Sequence, residues 1–224
     1  MNSHLLSFLN LVFVGFIALF PVVNPIGSAF ILNPYFSDLT QKERRKAVKR
    51  IVLYAFILCV ATLIAGHWIL ELFGISLPVI QLAGGIMICK IGWEFLSQDK
   101  TQAQTSTDST LADQSNLVSI MDKLFYPITF PMTTGAGTLA VLFTLSANSV
   151  DTSLPIYLVN TGALIIAIIG ICVLIYVFFA NANRLINYMG SHSEIIVNRL
   201  SAFLIFCVGL QIAVSGIVHL IKGL

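Results

Sequence analysis

Charged residues are scarce in this chain: of 224 residues, 12 are Lys or Arg and 10 are Asp or Glu. A soluble domain of that length needs a charged shell around its core, and nothing here supplies one. The formal net charge of +2 is too small, and too concentrated in one stretch, to fit nucleic-acid binding. Cysteine is scarce as well. Cys59, Cys89, Cys172 and Cys207 lie inside apolar runs without CxxC spacing, which reads as small packing residues and not as a thiol or metal site. The N-terminal run has no basic n-region and meets Pro21 and Asn24 instead of an A-x-A cleavage signal. It reads as a retained helix and not as a signal peptide.

Apolar residues fill the chain instead, at 57% hydrophobic with a mean hydropathy of +0.92. That composition implies an all-α polytopic membrane protein whose first partner is the lipid bilayer. Windows of roughly 20 residues, the length that crosses a ~30 Å hydrocarbon core, fall at 5–32, 51–73, 77–96, 124–145, 154–180 and 195–221. Six transmembrane helices are therefore expected. Between the first two lies QKERRKAVKR, with Lys42, Arg44, Arg45, Lys46, Lys49 and Arg50, expected as a short cytoplasmic loop by the positive-inside rule. Both termini then face the periplasm. The polar stretch 97–116 is expected as a flexible cytoplasmic linker. It divides one membrane domain into a first half (1–96), a linker (97–117) and a second half (118–224).

The halves resemble each other. FPVVNPIGS (Phe20–Ser28) aligns with FPMTTGAGT (Phe130–Thr138), so that Phe, Pro and Gly recur in register and Ser28 faces Thr138. QLAGGIMICKIGWE aligns with NRLSAFLIFCVGLQ, matching Gln81 to Asn198, Gly92 to Gly209 and Glu94 to Gln211. Three spans per half would make the second copy enter from the opposite side, an inverted 3+3 repeat with discontinuous first and fourth helices. In secondary transporters such paired breaks place the substrate near the midplane, because freed N–H groups meet anions and freed carbonyls meet cations. The candidate substrate-binding residues are Asn24, Pro25, Gly27 and Ser28 in the first break, with Thr133, Thr134, Gly135, Gly137 and Thr138 in the second. The plain alternative is a pair of proline kinks satisfied by neighbouring helices.

No Asp, Glu, Lys or Arg falls in the first, fourth or fifth window. A carrier of lipophilic cations is expected to hold a carboxylate there, so a neutral polar pocket points to a small zwitterion. Lys90 and Glu94, one helical turn apart in the third window, are candidates for coupling or gating together with Gln81 and Gln211; snorkelling to the interface is their simpler reading. His67 and Glu71 are two ligands at most, a poor metal site. The small residues of Ala83–Gly85 and Ser201–Ala202 are expected to let the third and sixth helices approach closely. No nucleophile–base pair lies within a plausible pocket, which argues against an enzyme.

Taken together, NPIG (Asn24–Gly27), the basic stretch after it, LFGISLPVIQLAGGIMI (Leu72–Ile88) and PITFPMTTGAGT (Pro127–Thr138) resemble the MarC family of bacterial inner-membrane proteins, also called UPF0056 or the SnatA-like neutral amino acid transporters. The resemblance spans nearly the whole chain. It implies six spans, a bacterial inner-membrane location and, for some members, transport of small neutral amino acids such as glycine and alanine. It also implies a substrate-site role for Asn24, Pro25, Gly135, Gly137 and Thr138. One departure stands out: such proteins often read G-P-G where this chain has Gly135-Ala136-Gly137. The sequence thus leads to a secondary transporter of glycine- or alanine-like solutes by alternating access. It needs no cofactor or metal, with coupling to H+ or Na+ and homo-oligomer formation left open. A non-transporting membrane protein that uses the breaks for packing or partner docking is the competing class, and an exporter of another small solute a third.

Overall fold

The computed structural model describes residues 2–36, 39–97, 123–149 and 153–222. The expected linker therefore lies largely outside the described residues. The first helix, α1 (Asn2–Val23), carries Pro21 inside it and stops at Asn24. Asn24 adopts a left-handed conformation (φ 45°, ψ 62°), and α2 (Pro25–Leu32) restarts at once with proline in its first turn. Pro25 has no N–H to give the carbonyl four residues back, so the α1 ladder cannot run through it. A 3-10 turn, Asn33–Phe36, follows.

The basic stretch expected as a loop is helical. α3 runs from Gln41 to Leu72, 32 residues or roughly 48 Å at 1.5 Å per residue. Thr40 and Glu43 start it with a reciprocal capping box: the Thr40 N–H donates to Glu43 Oε2 at 2.9 Å, and the Glu43 N–H donates to Thr40 Oγ1 at 3.4 Å. Only about 20 residues are needed to cross hydrocarbon, so the basic turns extend beyond it while remaining helix. Lys42, Arg45, Lys46, Lys49 and Arg50 are exposed; Arg44 is not. At the other end Gly74 (φ 61°) closes α3, with the Ile75 N–H bonded to Leu70 O at 2.9 Å and the Gly74 N–H to Glu71 O at 3.1 Å.

α4 covers Leu77–Ser97. The second break then begins with a wide, π-type segment, Leu124–Thr133, containing Pro127 and Pro131 and non-helical backbone at Tyr126 and Phe130. It meets α5 (Ala136–Ser149) at a bend of 68°. α6 (Leu154–Ala180) coincides with its expected span. α7 begins at Ala182, before the expected 195, and runs unbroken to Lys222. Four stretches are long and apolar enough to cross a membrane, 5–36 (α1 through the 3-10 turn), α3, α6 and 199–222 of α7, and the bent pair makes a fifth. Among the described residues α4 is not one of these, and it carries Gln81, Lys90 and Glu94 within its 21 residues. Of the six expected spans, four, or five with the bent pair, meet that standard among the described residues, and the remaining one, 77–96, falls on α4.

The helices form three layers. α3 packs on α6 along one face, α4 packs on α7 along the other, and the two broken helices lie between. The pairing is balanced between halves: α1 and α2 lean on α6 as the π-type segment and α5 lean on α3, and α4 meets α5 as α7 meets α1 and α2. The α4–α7 seam is backbone against backbone. A Cβ added at Gly85 would lie 2.4 Å from the Ala213 nitrogen, one at Gly92 2.6 Å from that of Phe206, and one at Gly209 2.5 Å from that of Cys89. Gly85 of the expected pair of motifs is thus in the seam, whereas Gly84 faces Ala140 of α5. Polarity is inverted relative to a water-soluble protein. Leu5, Phe13, Ile57, Trp68, Trp93 and Leu158 are exposed, while Ser28, Thr129, Thr133, Thr134, Thr138 and Ser146 are buried.

Candidate substrate site at two helix breaks

NPIG makes its break by local chemistry. Asn24 tolerates the left-handed region better than most residues because its short amide can bond locally. Its Oδ1 accepts the Gly27 N–H at 3.1 Å, capping α2, and Pro25 fills the first helical position, where an N–H would be orphaned anyway. Gly27 is glycine because the cap needs the room: a Cβ there would sit 2.2 Å from Asn24 Nδ2. The Ser28 hydroxyl donates to Val23 O at 3.1 Å. Asn24 is partly buried, and Pro25, Gly27 and Ser28 are buried.

The second break is built differently. The Thr129 hydroxyl donates to Leu124 O at 2.6 Å and the Thr133 hydroxyl to Ile128 O at 2.8 Å, each answering a carbonyl five residues back in the widened helix. The Thr134 N–H reaches Thr129 O at 2.7 Å. Thr133, Thr134, Gly137 and Thr138 are buried and Gly135 is half-buried. Thr138 Oγ1 has no hydrogen-bond partner among the described residues. The two breaks meet, since a Cβ on Gly137 would lie 2.9 Å from Val22 Cγ1. Nine residues expected at one site therefore fall on two adjoining breaks between the outer layers.

The candidates for coupling or gating do not gather there. Lys90 and Glu94 pair at 3.8 Å but are both largely exposed, at 75% and 54%, as a snorkelling pair would be. Gln211 is exposed. Gln81 is buried in the α4–α7 seam, its Oε1 3.0 Å from Nδ1 of His219. His67 and Glu71 approach at 3.6 Å with Glu71 mostly exposed, and the His67 N–H donates to Ser146 Oγ at 3.0 Å.

Sequence reasoning missed Arg44, counted among the solvated basic residues. It is 1% exposed. Its Nε donates to Phe179 O at 3.0 Å, its Nη2 to Asn33 Oδ1 at 2.7 Å, and its guanidinium lies 5.7 Å from the Phe36 ring centre. Phe179 O belongs to the last turn of α6, the negative end of that helix, which favours a cation. Arg44 thereby ties the start of α3 to the ends of α2 and α6. The signal that could have found it is helical spacing: once the basic stretch is read as helix, Arg44 shares the face of Ala47, Val48, Ile51 and Ala55.

Comparison with known proteins agrees with the pattern of motifs. Residues 9–221 match the description of a MarC family integral membrane protein. The UPF0056 inner membrane protein MarC of Salmonella paratyphi A is 24% identical over 216 residues, covering 93% of this chain and 95% of that protein. The proteins of the same name from Citrobacter koseri and Escherichia coli O1:K1 / APEC are each 22% identical, over 211 and 209 residues, with the same coverage. No solved structure matches. The chain belongs to the MarC family of integral membrane proteins.

Proposed function

We propose that this protein is a secondary transporter of small neutral amino acids, glycine- or alanine-like zwitterions, in a bacterial inner membrane. Its six helices would form an inverted 3+3 repeat, with both termini periplasmic and the basic turns of α3 cytoplasmic. One observation carries the reading: two helix breaks, free of formal charge and lined by hydroxyls, amide and opened backbone, adjoin between two helical layers, as the Val22–Gly137 contact attests. The exchange-balanced helix pairing supports the repeat. The relatives, named as inner membrane proteins, support the location. Burial of Thr134 and Thr138, each 1% exposed, means that a solute reaches them only when the layers part, which is what alternating access requires.

The packing reading has its own support in the first break, where Asn24 Oδ1 and the Ser28 hydroxyl are already satisfied within the chain. Uptake into proteoliposomes separates the two readings. Labelled glycine or alanine should accumulate faster than in protein-free vesicles, and a proton or sodium gradient should change the rate if either ion is coupled. Uptake equal to that of empty vesicles under every gradient would leave the packing reading in its place.

A further inference from the structure

The two breaks differ in what they leave unbonded. In the first, the N-terminal turn of α2 keeps one N–H open, that of Ile26: Pro25 has no N–H, the Gly27 N–H is taken by Asn24 Oδ1, and the Ser28 N–H bonds Asn24 O at 2.9 Å. Little is left there for an anion. The same break opens the C-terminal end of α1, because Pro25 cannot serve the Pro21 carbonyl and, among the described residues, no helical backbone donor reaches that of Val22. In the second break the N–H groups of Ala136, Gly137 and Thr138, the first turn of the 14-residue α5, have no backbone acceptor among the described residues. Thr138 stands in that turn, 1% exposed, with its hydroxyl unpartnered. Helix side chains lean toward the N-terminus, which carries the Thr138 side chain toward the same end of α5 as those N–H groups. A buried polar atom without a partner is rare and calls for an explanation.

Gly137 brings these ends together, its missing Cβ allowing Val22 of α1 to approach within 2.9 Å of that position. A helix C-terminus with freed carbonyls, partially negative, thus meets a helix N-terminus with freed N–H groups, partially positive. We infer that the solute binds in one fixed orientation, its carboxylate on the first turn of α5 and the Thr138 hydroxyl, its ammonium on the Pro21 and Val22 carbonyls. Asn24 and Ser28 then shape the break and do not bind the carboxylate. The inference rests on the zwitterion reading above, but its anion half is separable from it.

The test uses full-length protein in lipid nanodiscs, with thermal shift and calorimetry against glycine and its two halves, acetate and methylammonium. Thr138→Val removes the hydroxyl at nearly constant shape. It should weaken glycine and acetate binding by roughly threefold to tenfold, leave methylammonium binding unchanged, and leave the ligand-free melting temperature at or above that of wild type. Thr144→Val removes a hydroxyl already bonded to Ala140 O at 3.0 Å and should change none of the three affinities. Glycine binding that does not depend on Thr138 overturns the orientation while keeping the amino acid reading. So does equal weakening of acetate and methylammonium. Thr138-dependent acetate binding without any glycine binding keeps the anion turn and removes the amino acid reading. Wild-type protein that binds neither glycine nor acetate overturns both.

Discussion

Asn24 holds a strained backbone and caps a helix with the same side chain, so its substitutions separate by what each preserves. Alanine loses the cap, worth about 1 kcal/mol, and must still adopt the left-handed conformation, worth roughly another 1–2 kcal/mol. Asn24→Ala should therefore unfold earlier in a denaturant titration, whatever it does to transport. Asn24→Gly keeps the backbone at ease and should lose only a few tenths of a kcal/mol as a cap. Gly27→Ala tests the same geometry from the other side. Its Cβ collides with the Asn24 amide at 2.2 Å, so it should destabilise the wild type but cost far less in an Asn24→Gly background. Additive costs in that double-mutant cycle would contradict the cap geometry. Arg44 offers a second contrast. Arg44→Lys keeps the charge but cannot serve both Phe179 O and Asn33 Oδ1, and bonds from charged donors are worth about 1.5–3 kcal/mol each. Lysine should lose much of what alanine loses. A lysine variant as stable as wild type would show that the charge alone suffices.

Among the elements, the α4–α7 seam is where small size matters most. Gly209→Ala places a carbon 2.5 Å from the Cys89 nitrogen, and backbone cannot yield as a flexible side chain would. Unfolding measurements should find it destabilised, by 1–3 kcal/mol or so as overpacking typically costs. Gly162→Ala on α6 meets nothing within 4 Å and should be neutral or stabilising by up to about 1 kcal/mol, the helix preference of alanine over glycine. How much of this was legible in the sequence follows from the range of each cause. The NPIG break is written in adjacent residues, so its position and its Pro–Gly chemistry could be read directly. The start of α3 was equally local, a Thr-x-x-Glu capping box at Thr40–Glu43, yet the dense positive charge after it suggested a loop. Length alone resolves the conflict, since a helix can leave the hydrocarbon without ending. The partners of Arg44 and of Gly209 lie far away in sequence, Phe179 being 135 positions from Arg44, and single-chain patterns carry no register between such helices. For the candidate site, the sequence named the residues of both breaks, but not that the first opens mainly carbonyls while the second leaves the N–H groups of Ala136, Gly137 and Thr138 without a backbone acceptor among the described residues.

For the whole molecule, the proposed inverted repeat requires three spans between the N-terminus and the polar stretch 97–116, and so opposite sides of the membrane for the two. Cysteines placed singly at Ser3 and Ser106, in a background without Cys59, Cys89, Cys172 and Cys207, should differ in labelling by an impermeant maleimide in intact cells. Ser3 should label and Ser106 should not; equal labelling would remove the inverted repeat, and the reverse would overturn the proposed orientation. The central claim is that the paired breaks carry a small zwitterion across the bilayer. Counterflow tests it most directly, because it requires neither a known coupling ion nor a known direction. Vesicles loaded with unlabelled glycine and diluted into trace labelled glycine should take up label transiently above its equilibrium level, and those carrying the Thr138→Val protein should need more glycine to reach the same rate. Vesicles containing folded wild-type protein that show no such overshoot, with glycine or with alanine, would contradict the account.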